Sequence, residues 1–528
     1  MAMTETRPDQ AEAAEPAAAD GAAVARPAGG LAGLLGTADH QVIGRLWIAT
    51  SLLFLVVSGV VGALLGAERF DTTTYDVFES KHFAQAFSIH AVAGLFLFAI
   101  PLLIGIAMVV VPKQLGIRAV AFPRAASLAY WTFLVGGGLV VLSYLIDGGP
   151  GGNRPVGVDL FLAALALVSV AIVLASVCVA TTVLALRPTG MRLERVPMFA
   201  WSMLVAASIW IVSFGFLTGE LVLLYLDSRY RVGGFLLGSG DIERWLYWTT
   251  TQPQVYAVAI PVLGFVAEVV PVAAGRRQKR PGVLLGAIGA FGALSFGAWT
   301  FAQGAHPEIT RQFLFVATSF AVVLPVLVVL AGVAETLVKG KPKLSSPLLF
   351  GVAALLMLGA GVVAGALRSV HPFELVGTTA DASVAHYALG AAAIAGIGAL
   401  HHWWPQILRR PLNEGVGRLT ALLALLGTML LALPDLISGF LDEPRGSLTP
   451  GGVRDGVQLL NVLSFAGGAL LLLAVLVLIV NVAASLGKRG ELPVGTDPWD
   501  GHTLEWAADP AMVPVTSAAP VLDQKESA

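Results

Sequence analysis

The chain is short of two things. It has one cysteine, Cys178, in 528 residues, which excludes a disulfide framework and any cysteine-based metal site. That cysteine stands in an apolar run and reads as a small apolar filler. The second scarcity is charge. Asp, Glu, Lys and Arg make up 12 % of the chain, against about a quarter in soluble domains. With 34 acidic and 32 basic residues the net charge is −2, so no basic surface for nucleic acid is expected. What is there instead is apolar: 56 % of residues are hydrophobic and the mean hydropathy is +0.79. A chain this long and this poor in charge reads as an all-α polytopic membrane protein, because hydrocarbon demands that every backbone polar group be paired within the spanning segment.

No basic stretch followed by a short apolar one opens the sequence, so no cleaved signal peptide is expected. Residues 1–36 are rich in Ala, Pro, Gly and acids and read as a disordered tail. A membrane domain is expected over 37–508 and a mobile tail over 509–528. A spanning helix needs about 20 mostly apolar residues. Twelve such runs fall at 41–66, 87–112, 126–146, 158–186, 200–226, 247–274, 282–303, 313–338, 346–367, 382–407, 418–440 and 458–486. The loops after the even-numbered runs carry Lys113, Arg118 and Arg124; Arg187, Arg192 and Arg195; Arg276, Arg277, Lys279 and Arg280; Lys339, Lys341 and Lys343; and Arg409, Arg410 and Arg418. The opposite loops are mixed or acidic. By the positive-inside rule both termini are expected in the cytoplasm.

Ionisable residues at membrane depth are functional candidates. Of nine histidines, most fall near run ends or in loops, but His90 ("FSIHAVAGLF") and His386 ("SVAHYALGAA") lie inside the second and tenth runs. Two helices offering one imidazole each can clamp a haem iron from both faces. Two unrelated histidines hydrogen-bonded between helices are the alternative. A further oddity is "QPQVY" at 252–256, two amides beside a proline in an apolar run.

Several stretches resemble subunit I of the haem-copper oxidases, the cytochrome c oxidase family. "TADHQVIGRLWI" is similar to the family's opening T-x-H-x-x-I-G segment, and "HAVAGLFLFAIPLLIG" to its second helix, where a histidine is followed eleven residues later by proline. "VAFPRAASLAYW", "GMRLERVPMFAWSMLVAA" and "ITRQFLFVATSFAVVLP" resemble the third, fifth and eighth helices. "LYWTTTQPQVYAVAIP" resembles the sixth, where the family writes H-P-E-V-Y; "LPDLISGFLDEPRG" has the spacing of the segment ending in P-R-R; and "DPWDGHTLEW" resembles the carboxyl-terminal signature of bacterial members. The resemblance runs in order from about 37 to 508. It implies twelve helices in three arcs, with redox centres between them, in a bacterial plasma membrane.

The resemblance also implies a site. The family holds a low-spin haem between histidines of the second and tenth helices, and His90 and His386 fall on them. In the family's H-x-H-Y the first histidine holds the high-spin haem and the second the low-spin haem; Tyr387 and Leu389 favour matching His386 to the second, and a gap of one residue matches it to the first instead. Arg445 matches the first arginine of P-R-R, a contact of haem propionates, and Gly446 replaces the second. Elsewhere the chain departs from the pattern. The copper histidine of H-P-E-V-Y is Gln252, the carboxylate is Gln254, and Tyr256 is kept. The adjacent histidine pair of the seventh helix falls near Phe301 and Ala302, which have no donor atom. The eighth-helix lysine falls near Val329, the acidic residue before F-P-R near Ala119, and the H-D pair before the tenth helix is missing from "LVGTTADAS". The two amides of "QPQVY" are expected to hydrogen-bond each other in the emptied place of the copper. One low-spin haem is thus expected, its type A or B left open, and copper is not.

Three readings follow. The first is a divergent subunit I homologue that transfers electrons through one bis-histidine haem, without oxygen reduction or proton pumping. The second is a working terminal oxidase taking electrons from cytochrome c. The third is a haem-free scaffold. Membrane lipid and a subunit II-like electron-entry partner are expected, with cytochrome c as a candidate donor.

Overall fold

The computed structural model describes residues 30–70, 78, 80–230, 242–297, 309–446, 456–487, 492–493, 496–501 and 503–507; among them the side chains of 70, 80–81, 242–245, 247–252 and 309–311 lie outside the description. Of the tails expected at the two ends, residues 1–29 and 509–528 lie outside the described residues. Residues up to Thr37 form a unit of their own, in which Gly30–Leu35 is a short helix. Everything below concerns the unit from Ala38 onward.

Among the described residues the secondary structure is helical throughout, apart from one isolated bridge between Thr378 and Pro444. Each of the twelve apolar runs holds a helix among the described residues. In order they are His40–Phe70; a second span made of Ser80–Val92, Ala93–Ala99 and Ile100–Gln114; Pro123–Leu145; Pro155–Ala185; Met198–Tyr230; Ile242–Ala274; Pro281–Ser295; an eighth made of Ile309–Ala321 and Val323–Lys339; Ser346–Arg368; Thr379–Leu408; Glu414–Gly439; and Val457–Gly487. Eleven are long and apolar enough to cross a bilayer, and the seventh is described over 15 residues. The chain is a multi-pass membrane protein.

Local chemistry sets the ends. Pro123, Pro155 and Pro281 stand at the first position of their helices, where the missing N–H is one the helix cannot use anyway. The tenth span starts where Thr378 Oγ1 accepts from Ala380 N at 3.2 Å, and the eleventh where Asn413 Oδ1 accepts from Val416 N at 3.0 Å; both are side-chain caps on otherwise orphaned donors. The second span is interrupted by a π-helical stretch, Ala93–Ala99. Pro101 follows it and cannot donate to the carbonyl four residues back, so the widened turn re-pairs the ladder just past His90.

Packing order follows burial. The second, sixth and tenth spans have 94 %, 94 % and 78 % of their apolar stretches buried, against 67 % or less in the others. Among the described residues these three are inner helices: the tenth packs on both the second and the sixth. The other nine close a ring around them, each touching the next in the order one, three, four, five, seven, eight, nine, eleven, twelve and back to one. The inner helix recurs every fourth span, which gives the three arcs expected. The ring's outer faces carry exposed Leu53, Phe216, Leu324 and Val480, apolar side chains that suit lipid.

Candidate functional site

His90 and His386 come together. Their ring centroids lie 6.4 Å apart with the planes at 65°. The second span supplies His90 just before its π-helical turn, and the tenth supplies His386 about two turns inside its capped start. Each imidazole turns its Nδ1 toward an oxygen, His90 in a hydrogen bond and His386 at ion-pair distance only. His90 Nδ1 lies 2.9 Å from the carbonyl oxygen of Ser58, and the Ser58 hydroxyl donates back to the His90 carbonyl at 3.2 Å. His386 Nδ1 lies 3.2 Å from Asp435 Oδ2, close enough for an ion pair but not aligned as a hydrogen bond. Among the described residues neither Nε2 has a hydrogen-bond partner. The first span makes room for the pair with small residues: a Cβ placed on Gly62 would stand 2.6 Å from His90 Cε1 and 3.0 Å from Nδ1.

The pair is flanked by cavity. A space of about 260 Å³ and an adjoining one of about 110 Å³ are both lined by Phe87, His90, His386, Leu431 and Arg445. The histidines thus stand in a largely apolar slot with cations at one end. Arg445 is brought there by the return of the chain after the eleventh span. Thr379 N donates to the Glu443 carbonyl at 2.9 Å and Arg445 N to the Gly377 carbonyl at 3.1 Å, and the bridge from Thr378 to Pro444 lies between them. The Arg445 guanidinium sits 5.8 Å from the centroid of Phe87. Gly446, in the place where the family has its second arginine, has φ +71°, and a Cβ there would meet Phe87 at 3.2 Å. The backbone at 446 therefore disfavours any side chain, arginine included.

Residues the sequence reading passed over complete the site. Asp435 is buried in the eleventh span. Its Oδ1 accepts from Arg69 Nη1 at 3.0 Å and from the Ser464 hydroxyl at 3.0 Å. Arg69, which lines the smaller cavity, also donates to Asn461 Oδ1 at 3.1 Å. On the wall of the larger cavity Asp381 accepts from Arg368 Nη1 at 3.0 Å and from Gly377 N at 2.7 Å. A signal for Asp435 was present: it is a carboxylate inside the run 418–440, and intramembrane carboxylates are functional candidates. Ser58 and Gly62 carry no comparable mark in the sequence.

The expected copper place is a different environment. Phe301 and Ala302 lie outside the described residues, as does the side chain of Gln252. Gln254 is fully buried, and among the described residues neither its Oε1 nor its Nε2 has a partner; the amide pair expected with Gln252 involves a side chain outside the description. The ring of Tyr256 lies 6.1 Å from that of Phe291. The cavity that Tyr256 lines with Phe291, Gly361 and Val384 is about 20 Å³. Val384 stands two residues before His386, at the first position of the family's H-x-H-Y. Val329 is fully buried in the core.

A haem fits the histidine pair on the protein's own geometry. Imidazole nitrogens sit about 2 Å from a first-row metal, so two rings ligating through Nε2 have centroids roughly 6 Å apart, as these do. A metal-bound histidine also turns its other nitrogen to a carbonyl or carboxylate, and both do so here.

Residues 42–470 match the family model described as cytochrome C and quinol oxidase polypeptide I. The chain is 29 % identical over 494 residues to the putative cytochrome c oxidase subunit 1-beta of Streptomyces avermitilis, with 89 % of this chain and 87 % of that one covered. It is 29 % identical over 506 residues to the cytochrome c oxidase subunit 1 of Synechocystis, with 92 % and 90 % covered. Its fold is similar to that of a haem-copper terminal oxidase dimer solved by cryo-EM, at a TM-score of 0.70 and 14 % identity, with 92 % of this chain and 89 % of that one covered.

Proposed function

The chain belongs to the cytochrome c and quinol oxidase polypeptide I family, and from that premise we propose that it is a membrane subunit of a respiratory assembly, transferring electrons through one low-spin haem held by His90 and His386. The observation that carries this reading is the facing imidazole pair, 6.4 Å between centroids, with each Nδ1 turned away to Ser58 or Asp435. His90 and His386 would hold the iron of such a haem, which would supply one-electron chemistry suited to electron transfer rather than oxygen binding. The protein's part is to orient. Ser58 and Asp435 orient the two rings, Phe87, Leu431 and Leu471 keep water from the slot, and Arg445 on its wall would pair with the group's carboxylates.

The same reading assigns no oxygen reduction and no proton pumping. It is supported by Gln252 and Gln254 in place of a histidine and a carboxylate, by Val384 and Val329 in place of a ligand and a lysine, and by the small space beside Tyr256. Copper is not part of the proposal. Both termini are assigned to the cytoplasm, on the repeated Lys and Arg of alternate loops. A subunit II-like partner is assigned electron entry.

Family membership favours one rival, a working terminal oxidase. The test is a reduced-minus-oxidised spectrum with haem and copper analysis on detergent-purified protein, repeated on His90→Ala and His386→Ala. One haem per chain, unreactive to carbon monoxide and lost in both variants, is the expected result. A second haem that binds carbon monoxide, with copper and oxygen uptake, restores the oxidase; no haem after expression with ample supply leaves a scaffold.

A further inference from the structure

The two imidazoles are not held alike. His90 Nδ1 faces a neutral backbone carbonyl, while His386 Nδ1 lies 3.2 Å from a carboxylate. That carboxylate is held in place from several sides. Asp435 is 0 % exposed, a position at which an ionised carboxyl survives only with close partners. Arg69 and Ser464 bond its Oδ1, Thr379 Oγ1 donates to its backbone carbonyl at 2.8 Å, and Asn461 holds Arg69 from the other side at 3.1 Å. With Oδ1 occupied by two donors, Oδ2 is the atom turned to the imidazole. Four helices, the first, tenth, eleventh and twelfth, meet at this one side chain.

Resting on the haem reading above, we propose that Asp435 is a positioning and tuning residue for His386, making the two axial ligands electronically unequal. A carboxylate at Nδ1 sets the ring's tautomer and orientation and raises the basicity of Nε2. It also places a negative charge one imidazole away from the bound iron, which favours the oxidised form, and Arg69 sets how much of that charge the iron senses. A purely structural Arg69–Asp435 ion pair would tie the first span to the eleventh and leave the haem's electronics alone.

The two accounts part on the direction of the potential. The experiment is a potentiometric titration at fixed pH, with low-temperature EPR and haem content, on the purified full-length chain and on Asp435→Asn and Arg69→Gln. Tuning gives a midpoint that rises in Asp435→Asn and falls in Arg69→Gln, with altered low-spin g-values in both. Haem affinity in Asp435→Asn falls about 10- to 100-fold, the usual effect of removing such a partner. Variants that lose haem or stability while the retained haem keeps its midpoint and g-values overturn the inference. Ser464→Ala, which removes one donor and leaves every charge, is expected to shift the midpoint in the direction of Arg69→Gln by less, and covers the case in which neither charge variant folds. Its midpoint standing still, or moving the other way, also overturns the inference. Wild-type protein without haem would instead overturn the reading on which the inference rests.

Discussion

Gly62 is where the smallest perturbation has the largest expected effect. The first span passes so close to His90 that a methyl group at 62 would lie 2.6 Å from Cε1 and 3.0 Å from Nδ1. Optimal carbon contacts are about 3.5–4.0 Å, so Gly62→Ala requires the ring or the span to move by roughly 1 Å. A ring displaced that far gives up the 2.9 Å contact from Nδ1 to the Ser58 carbonyl. Overpacking costs about 1–3 kcal/mol and the lost hydrogen bond about 1 kcal/mol. Together that is about 2–4 kcal/mol, or roughly 30- to 1,000-fold in haem affinity at about 1.4 kcal/mol per decade. The assay is haem retained per chain on dilution into apomyoglobin as acceptor, with the low-spin spectrum followed in parallel. The control is Gly138→Ala on the third span, where a Cβ would meet nothing within 4 Å and where exchange of a helical glycine stabilises by about 0.5–1 kcal/mol. Full haem retention and an unshifted spectrum in Gly62→Ala would refute the reasoning, because then the ring is not seated against the first span.

Two further outcomes follow from buried polar groups outside the histidine site. Glu505 is buried in the short turn Leu504–Trp506, where Gln114 Nε2 and Trp403 Nε1 both donate to its Oε1 at 3.2 Å; burial pushes its carboxyl above the usual range. A raised carboxyl binds its proton more tightly folded than unfolded, so stability falls as pH climbs from the unfolded value of about 4.3 toward the raised one. Glu505→Gln keeps an acceptor for both donors and is expected to flatten the pH profile of the thermal midpoint, matching wild type near pH 4 and exceeding it at pH 8. A variant that follows the wild-type profile would show that another group sets it. Gln254, whose buried amide has no partner among the described residues, gives the second outcome. Gln254→Leu is expected to stabilise by about 1–3 kcal/mol, the desolvation penalty of an orphaned polar group, seen as a higher thermal midpoint in detergent; a lower midpoint would mean that the amide is satisfied in the purified protein.

Much of the fold was legible because hydrocarbon simplifies the code. Length and apolarity alone locate helices where backbone pairing must be internal, and each of the twelve runs holds a helix among the described residues. Run ends were less so, since chains such as Met198–Tyr230 continue past the apolar stretch. The histidine pair was legible because two imidazoles inside apolar runs stand out against their neighbours. Its surroundings were not. Gly62 and Ser58 matter by the closeness of two helices, and hydropathy does not record closeness. Asp435 was hidden by its context: "LPDLISGFLDEPRG" drew the eye to Arg445 by spacing, while the carboxylate that touches His386 stands ten residues earlier. Gly446 was read as a lost arginine, whereas φ and the Phe87 contact make it a requirement of the turn.

The layout also explains how one site can persist while its neighbour changes. The shell of His90 and His386 comes from the first, second, tenth, eleventh and twelfth spans and from the turn carrying Arg445. The region around Tyr256 is built from the sixth, seventh, ninth and tenth. The two share one element, the tenth span, and there they use different faces of the same turn: Val384 and Ala388 line the space beside Tyr256, while His386 faces the slot. Substitutions that shrink a cavity among the sixth, seventh and ninth spans therefore leave the supports of the histidine pair in place, because well-separated sites with no shared partners contribute independently. Under the proposed reading, a protein of this family can give up oxygen chemistry in one arc and keep an electron-transfer site in the next without rebuilding its core.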